Sequence, residues 1–168
     1  IGGGSAGDSP SILKALAEKE LQFSALTYIV DLRVVEEAKY IGLNKKAVFK
    51  IGGYKDKRFH STIEITATVE SFHNGEFVYE GGPLQGMKAS FGPCVILMKK
   101  NLKLLVVTNA VYENKDEHYK CCNLNYKENK IVVFKNLMNF RKLLNKETSF
   151  IVVNGGGATP LELDKVKW

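Results

Sequence analysis

Apolar positions change their spacing twice along this chain. Residues 9–44 read as helix, strand, helix. Pro10 suits the first turn of a helix capped by Asp8 or Ser9, with Ile12, Leu13, Leu16 and Ala17 on its buried face. The segment Ala25-Leu26-Thr27-Tyr28-Ile29-Val30 is an almost unbroken apolar run of strand length, as expected of a strand covered on both faces. Asp31 is placed to cap a second helix through Val34, Val35 and Ala38, which stops at Gly42. From Lys45 the period falls to two: Ile63, Ile65, Ala67 and Val69 alternate with Glu64, Thr66, Thr68 and Glu70. Asn74-Gly75 predicts a tight hairpin leading into Phe77 and Tyr79, and residues 91–98 and 102–108 predict another around Lys99-Lys100-Asn101. Beyond residue 130 the first pattern returns, with a strand at 130–134, a helix through Leu137, Phe140, Leu143 and Leu144, and a strand at 150–153 ended by the glycines 155–157.

These patterns predict the α/β class: a mixed-sheet α/β unit from residues 1–44 and 130–168, with an antiparallel β subdomain inserted at 45–110. There is no internal repeat or low-complexity linker, so residues 1–168 are read as a single domain. The chain opens inside a glycine loop without a methionine, and the expectation is a C-terminal fragment of a longer protein. With 168 residues, 45% of them hydrophobic, the chain can bury a substantial core.

Composition narrows the function classes. No apolar run approaches the roughly 20 residues of a membrane-spanning helix, and no stretch has the order of a secretory signal. Three cysteines are too few for a disulfide framework. The expectation is a cytoplasmic protein with no membrane partner. A formal charge of +6 raises the question of nucleic acid, but arginine, which supplies bidentate phosphate and guanine contacts, occurs only at 33, 58 and 141. The lysines are scattered, so no nucleic-acid partner is expected.

Candidate chemistry centres on the opening loop, Gly2, Gly3, Gly4, Ser5, Gly7, Asp8 and Ser9. Gly2, Gly4 and Gly7 satisfy G-x-G-x-x-G, and Asp31 follows the next strand where a ribose-binding carboxylate would stand, so a dinucleotide- or phosphate-binding module is one reading. That reading needs a strand before Gly2, which the chain does not show. Gly2 and Gly7 also bracket four residues as in a P-loop, but Asp8 stands where the phosphate-binding lysine belongs. What survives is a loop whose free N–H groups suit an anion or a carbonyl oxygen; the plainer alternative is a sharp helix start capped by Asp8. Asn139 and Arg141, after the predicted strand and Lys135, either line a ligand crevice at the carboxyl ends of parallel strands or form a solvated turn. His60, His73, His118, Cys94, Cys121 and Cys122 lack the spacing of a zinc site, adjacent cysteines usually diverge, and Cys94 in an apolar strand reads as a small hydrophobe.

The loop G-G-G-S-A-G-D-S, the strand ending Val107-Thr108-Asn109 and the segment Lys135-Asn136-Leu137-Met138-Asn139-Phe140-Arg141 together resemble the C-terminal domain of the microcystinase C (MlrC-like) metallopeptidase family. The resemblance runs from Gly2 to about Leu163. In that family the loop reads approximately D-N-P-G-G-G-x-x-G-D, and Asn74-Gly75-Glu76-Phe77 and Phe91-Gly92-Pro93-Cys94 fit its β region. The family pattern K-S-x-x-H-F-R-A stands here with Asn136 for serine, Asn139 for histidine and Lys142 for alanine, and Ile1 replaces a proline. The resemblance implies a zinc-dependent peptide or amide hydrolase whose zinc ligands lie in an N-terminal lobe of a longer parent, with no metal expected in this chain. It further implies that Gly2 to Ser9, Asn139 and Arg141 shape the cleft for a small peptide-like substrate. A non-catalytic assembly domain is the remaining alternative, and assembly with further copies of itself is left open.

Overall fold

The computed structural model describes residues 6–55, 57–136 and 138–156. Its centre is a six-stranded mixed sheet built from β1 (Ala25–Val30), β2 (Lys46–Ile51), β3 (Ile63–His73), β6 (Cys94–Lys99), β7 (Leu102–Val107) and β8 (Ile131–Val132). A two-stranded ribbon, β4 (Glu76–Val78) with β5 (Lys88–Ser90), stands apart from it. The order across the large sheet is β2-β3-β6-β7-β1-β8. β1 runs parallel to β7 and β8, whereas β2, β3, β6 and β7 are antiparallel neighbours. The fold is thus α/β with a mixed sheet, and the antiparallel strands of the middle third continue the same sheet.

Side-chain alternation divides the core. Ala25 and Ile29 of β1, Val95 and Leu97 of β6, and Leu104 and Val106 of β7 face one layer, where they meet Leu13 of α1 (Ser11–Glu18) and Val34, Val35 and Ala38 of α2 (Leu32–Ile41). Leu26, Tyr28, Val30, Ile96, Leu105 and Val107 face the other, against Phe91, Tyr119, Cys122 and Leu124 around the short helix α3 (Glu117–Lys120). Every residue of β1 is buried, as its apolar run predicts. Asp31 caps α2 by accepting from the Arg33 N–H, and Gly42 ends it at φ 90°.

Four local expectations are overturned. α1 has no side-chain cap: Pro10 occupies that position, and the Asp8 carboxylate is engaged elsewhere. Asn74-Gly75 does turn the chain, but β4 does not return along β3: Ser71 to His73 of β3 pair with β6, and β4 pairs with β5. The ribbon instead closes on itself, and Phe77 stacks against Tyr79 and Phe91. The helix expected around Leu137 and Leu144 is a 3-10 turn at Phe140–Leu143, Leu137 itself lying outside the described residues. Here the Asn136 side chain accepts from the Met138 N–H, a local bond that competes with helix. Finally, the apolar run 150–153 is not a strand; its four residues are exposed, Ile151 at 87%.

Candidate functional site

Strands β7, β1 and β8 run parallel, and their carboxyl ends are where residues 7–9 cross the sheet. The Val30 N–H donates to the Gly7 carbonyl at 3.1 Å, so the loop is bonded to the last residue of β1. Gly7 has φ 77°, the left-handed region in which a glycine carries no steric penalty.

Asp8 is buried, and a second loop explains why. After β2 the chain makes two left-handed steps at Gly52 and Gly53, φ 66° and 61°. These turn four consecutive backbone N–H groups toward the first loop and the end of β1. Gly52 donates to Asp31 Oδ2 at 2.9 Å and Gly53 to the Asp8 carbonyl at 2.8 Å. Tyr54 and Lys55 donate to Asp8 Oδ2 at 3.1 and 2.9 Å. Converging N–H groups of this kind form a concavity for an anion, and the anion here is the Asp8 carboxylate. A Cβ on Gly52 would stand 2.6 Å from the Asp8 carbonyl oxygen and 2.7 Å from Ile29 Cδ1, so the approach depends on glycine.

On the other side of the loop lies Lys135. Its ammonium donates to the Gly7 carbonyl at 3.0 Å and to the Ser9 carbonyl at 3.1 Å, and sits 5.5 Å from the centre of the Tyr28 ring. The Tyr28 hydroxyl donates to Glu113 Oε1, and the Lys135 backbone N–H donates to Glu113 Oε2 at 2.7 Å. Asn136 and Asn139 both donate to the Glu113 carbonyl, at 2.7 and 2.9 Å. Burial pushes the Glu113 carboxyl up to about 7, against the opposing pull of the Lys135 N–H and ammonium. Burial also brings the half-buried Lys135 down to about 8, with Glu113 and Asp8 opposing. The P-loop comparison finds no cation beside the glycines in sequence, yet a cation reaches the loop from more than a hundred residues downstream.

Of the predicted site residues, Gly2, Gly3, Gly4 and Ser5 lie outside the described residues. Gly7, Asp8 and Ser9 are brought together with Lys135. The Ser9 hydroxyl lies 3.5 Å from Ser11 Oγ, which donates to the Gly155 carbonyl and stands 3.3 Å from His60 Nδ1. Asn139 turns inward and spends its amide on Glu113, whereas Arg141 is exposed with its guanidinium over the Phe140 ring. Asp31, the carboxylate of the dinucleotide reading, is fully buried, and both its oxygens accept from Arg33 or Gly52. A ribose hydroxyl would have to break those bonds, so that reading loses its anchor. Gly52, Gly53, Tyr28 and Glu113 escape sequence reasoning; the Gly52-Gly53 pair at the end of a strand is the one signal that could have drawn attention to them.

Among the described residues, no group of three or more His, Cys, Asp or Glu side chains is placed to hold a metal ion. His60 lies beside Ser11, His73 beside Ser71 at 2.9 Å, and His118 is sealed among Tyr28, Tyr119 and Phe134. The described residues by themselves therefore do not fit a zinc ion. No described helix is long and apolar enough to cross a membrane.

The family model described as MlrC C-terminus matches residues 1–168. No curated protein matches the chain. A crystal structure at 2.13 Å resolution, of a protein from Mesorhizobium sp. BNC1 provisionally named a metallopeptidase, has a similar fold, with a TM-score of 0.75 at 21% identity. The match covers 84% of this chain and 29% of that one, so the chain spans less than a third of that protein's length.

Proposed function

Because the chain belongs to the MlrC C-terminus family, we propose that it serves as the C-terminal α/β part of a metal-dependent hydrolase of peptide or amide bonds, with zinc as the metal. Its metal ligands would come from an N-terminal lobe of the same, longer protein, and its substrate would be a small peptide-like molecule. The role of this chain is to hold one wall of the cleft.

The observation that carries this reading is the clamp on residues 7–9. Three groups grip the loop: the Lys135 ammonium, the Val30 N–H and the N–H groups of Gly53, Tyr54 and Lys55. With the carbonyls of Gly7, Asp8 and Ser9 all turned into the protein, the loop is anchored at the sheet's carboxyl edge, where ligands of α/β proteins bind. The backbone N–H groups of Gly2 to Ser5, which precede that anchor in the sequence, are suited to a substrate carbonyl or carboxylate. Ser9 completes the wall with its hydroxyl. Asn139 acts from behind, through Glu113, and Arg141 at the rim.

The test uses the longer natural protein, assayed for metal content and for hydrolysis of a peptide panel. Metal-dependent hydrolysis is expected, and Lys135→Met and Asp8→Asn should each lower kcat/KM at least tenfold with metal content unchanged. Wild-type activity in both folded variants, or hydrolysis indifferent to chelator, would overturn the proposal. The chain alone, dialysed against chelator, is expected to retain no stoichiometric zinc by elemental analysis.

A further inference from the structure

Three thiols that the loop does not use converge around α3. Cys94 opens β6, while Cys121 and Cys122 follow α3 directly. Cys94 Sγ lies 3.5 Å from Cys122 Sγ, and Cys122 Sγ lies 3.8 Å from Cys121 Sγ. Exposure is graded along this row. Cys94 and Cys122 are each 1% exposed, packed with Leu26, Phe91, Ile96 and Tyr119, whereas Cys121 is half-buried. The three sulfurs therefore form a line of contacts from the partly solvated edge of the domain into its core. Adjacency of 121 and 122 suggests divergence, and in sequence Cys94 is remote from both, so only the fold assembles the row.

The two contacts differ in what bond they can hold. A disulfide is about 2.05 Å long and joins Cα atoms about 4.4–6.8 Å apart. Neighbouring residues have Cα atoms about 3.8 Å apart, so a Cys121–Cys122 bond is strained and easily broken. Cys94 and Cys122, 28 positions apart, have no such constraint and need only close their sulfur separation. The hydrogen bond from Cys122 holds the Cys121 thiol below its ordinary range, while the same bond, the contact with Cys94 and burial raise Cys122. The exposed end of the row is thus also the end whose thiol gives up its proton more readily, and the thiolate is the form that reacts with oxidants.

We propose that Cys121, Cys122 and Cys94 form a peroxide-modified relay whose product is a Cys94–Cys122 disulfide. The Cys121 thiolate attacks a peroxide oxygen; the S–O bond forms, the O–O bond breaks, and hydroxide leaves as water after taking a proton, giving a sulfenic acid. Cys122 then attacks the Cys121 sulfur, its proton leaving with the hydroxyl group as water, and a Cys121–Cys122 disulfide forms. Cys94 attacks the Cys122 sulfur, its proton passing to the departing Cys121. Two thiols and one hydrogen peroxide have become one disulfide and two waters, and Cys121 is regenerated as a thiol.

The test treats the reduced protein with one equivalent of hydrogen peroxide, caps free thiols with iodoacetamide and maps the peptides without reduction. The expected product links Cys94 to Cys122 and carries the cap on Cys121, with fragmentation between 121 and 122 making the assignment. Cys121→Ser should slow that bond's formation at least tenfold, Cys94→Ser should stop the reaction at the Cys121–Cys122 bond, and Cys122→Ser should leave a sulfenic acid at Cys121 that dimedone traps. The wild-type map needs no variant to fold. Oxidation of Cys121 to sulfinic acid without a disulfide, or an unchanged rate of Cys94–Cys122 formation in folded Cys121→Ser, would overturn the relay.

Discussion

Lys135 carries its charge to two carbonyl oxygens that belong to residues more than a hundred positions earlier, sharing that of Gly7 with the Val30 N–H and reaching that of Ser9 as well. Hydrogen bonds to a charged group are each worth about 1.5–3 kcal/mol, so Lys135→Met should lower stability by about 2 kcal/mol or more, read as a urea midpoint shift. Glu113 gives a pH signature of its own. Its folded pKa, about 7, lies above the ordinary 4.5, so the folded state binds the extra proton between those values. The stabilising contribution of this group is full below about pH 4.5 and is lost as the pH rises through about 7. Lys135 has the opposite sign, its folded pKa of about 8 lying below 10.5: its contribution is present above about pH 10.5 and is lost as the pH falls through about 8. Glu113→Gln keeps an acceptor for Tyr28 but removes the charge. It should match wild type near pH 4.5 and gain on it by pH 7.5, by up to about 3 kcal/mol in chemical denaturation. A difference independent of pH would show that Glu113 does not change ionisation over this range.

Elements locate the loops, and the loops bring the polar groups together. β2 ends at Ile51, and the two left-handed glycines after it decide where four N–H groups point. Gly52→Ala places a methyl group against the Asp8 carbonyl and Ile29, in addition to left-handed strain of about 1–2 kcal/mol. Gly86 has a similar φ of 81° but open space around it, so Gly86→Ala should show the strain alone. Thermal unfolding of the pair should find Gly52→Ala the more destabilised by a clear margin, and equal losses would mean that the contact with Asp8 yields freely. Element type was legible wherever a segment's own pattern sufficed: the alternation of β3, the full burial of β1 and the Asp31 cap of α2. It was illegible where pairing decided the outcome. Asn74-Gly75 is a hairpin signal, and it cannot report that β4 pairs with β5 while the end of β3 pairs with β6.

At the scale of the whole molecule, apolar character and burial part company at the C-terminal side. Leu105 is fully buried between the parallel and antiparallel halves of the sheet, and Leu105→Ala should cost about 2–5 kcal/mol. Ile151 is no less apolar but 87% exposed, and Ile151→Asp should leave the denaturation midpoint within about 0.5 kcal/mol of wild type. The residues of the sequence determined by themselves the class of fold, the buried strand β1, the wet face of β3 and the β6–β7 hairpin, because spacing, caps and turn residues act over a few positions. Only the tertiary structure decided that Asp8 docks on the Gly53, Tyr54 and Lys55 N–H groups, that Lys135 supplies the cation absent beside the glycines, that Glu113 holds Tyr28, Asn136 and Asn139 in one network, and that Cys94 meets Cys122. Each of these joins residues more than 20 positions apart, across strands whose order along the chain is not their order in the sheet. A local pattern records what a segment can bury, whereas the partner of a charge or a thiol is set by which strands come to lie side by side.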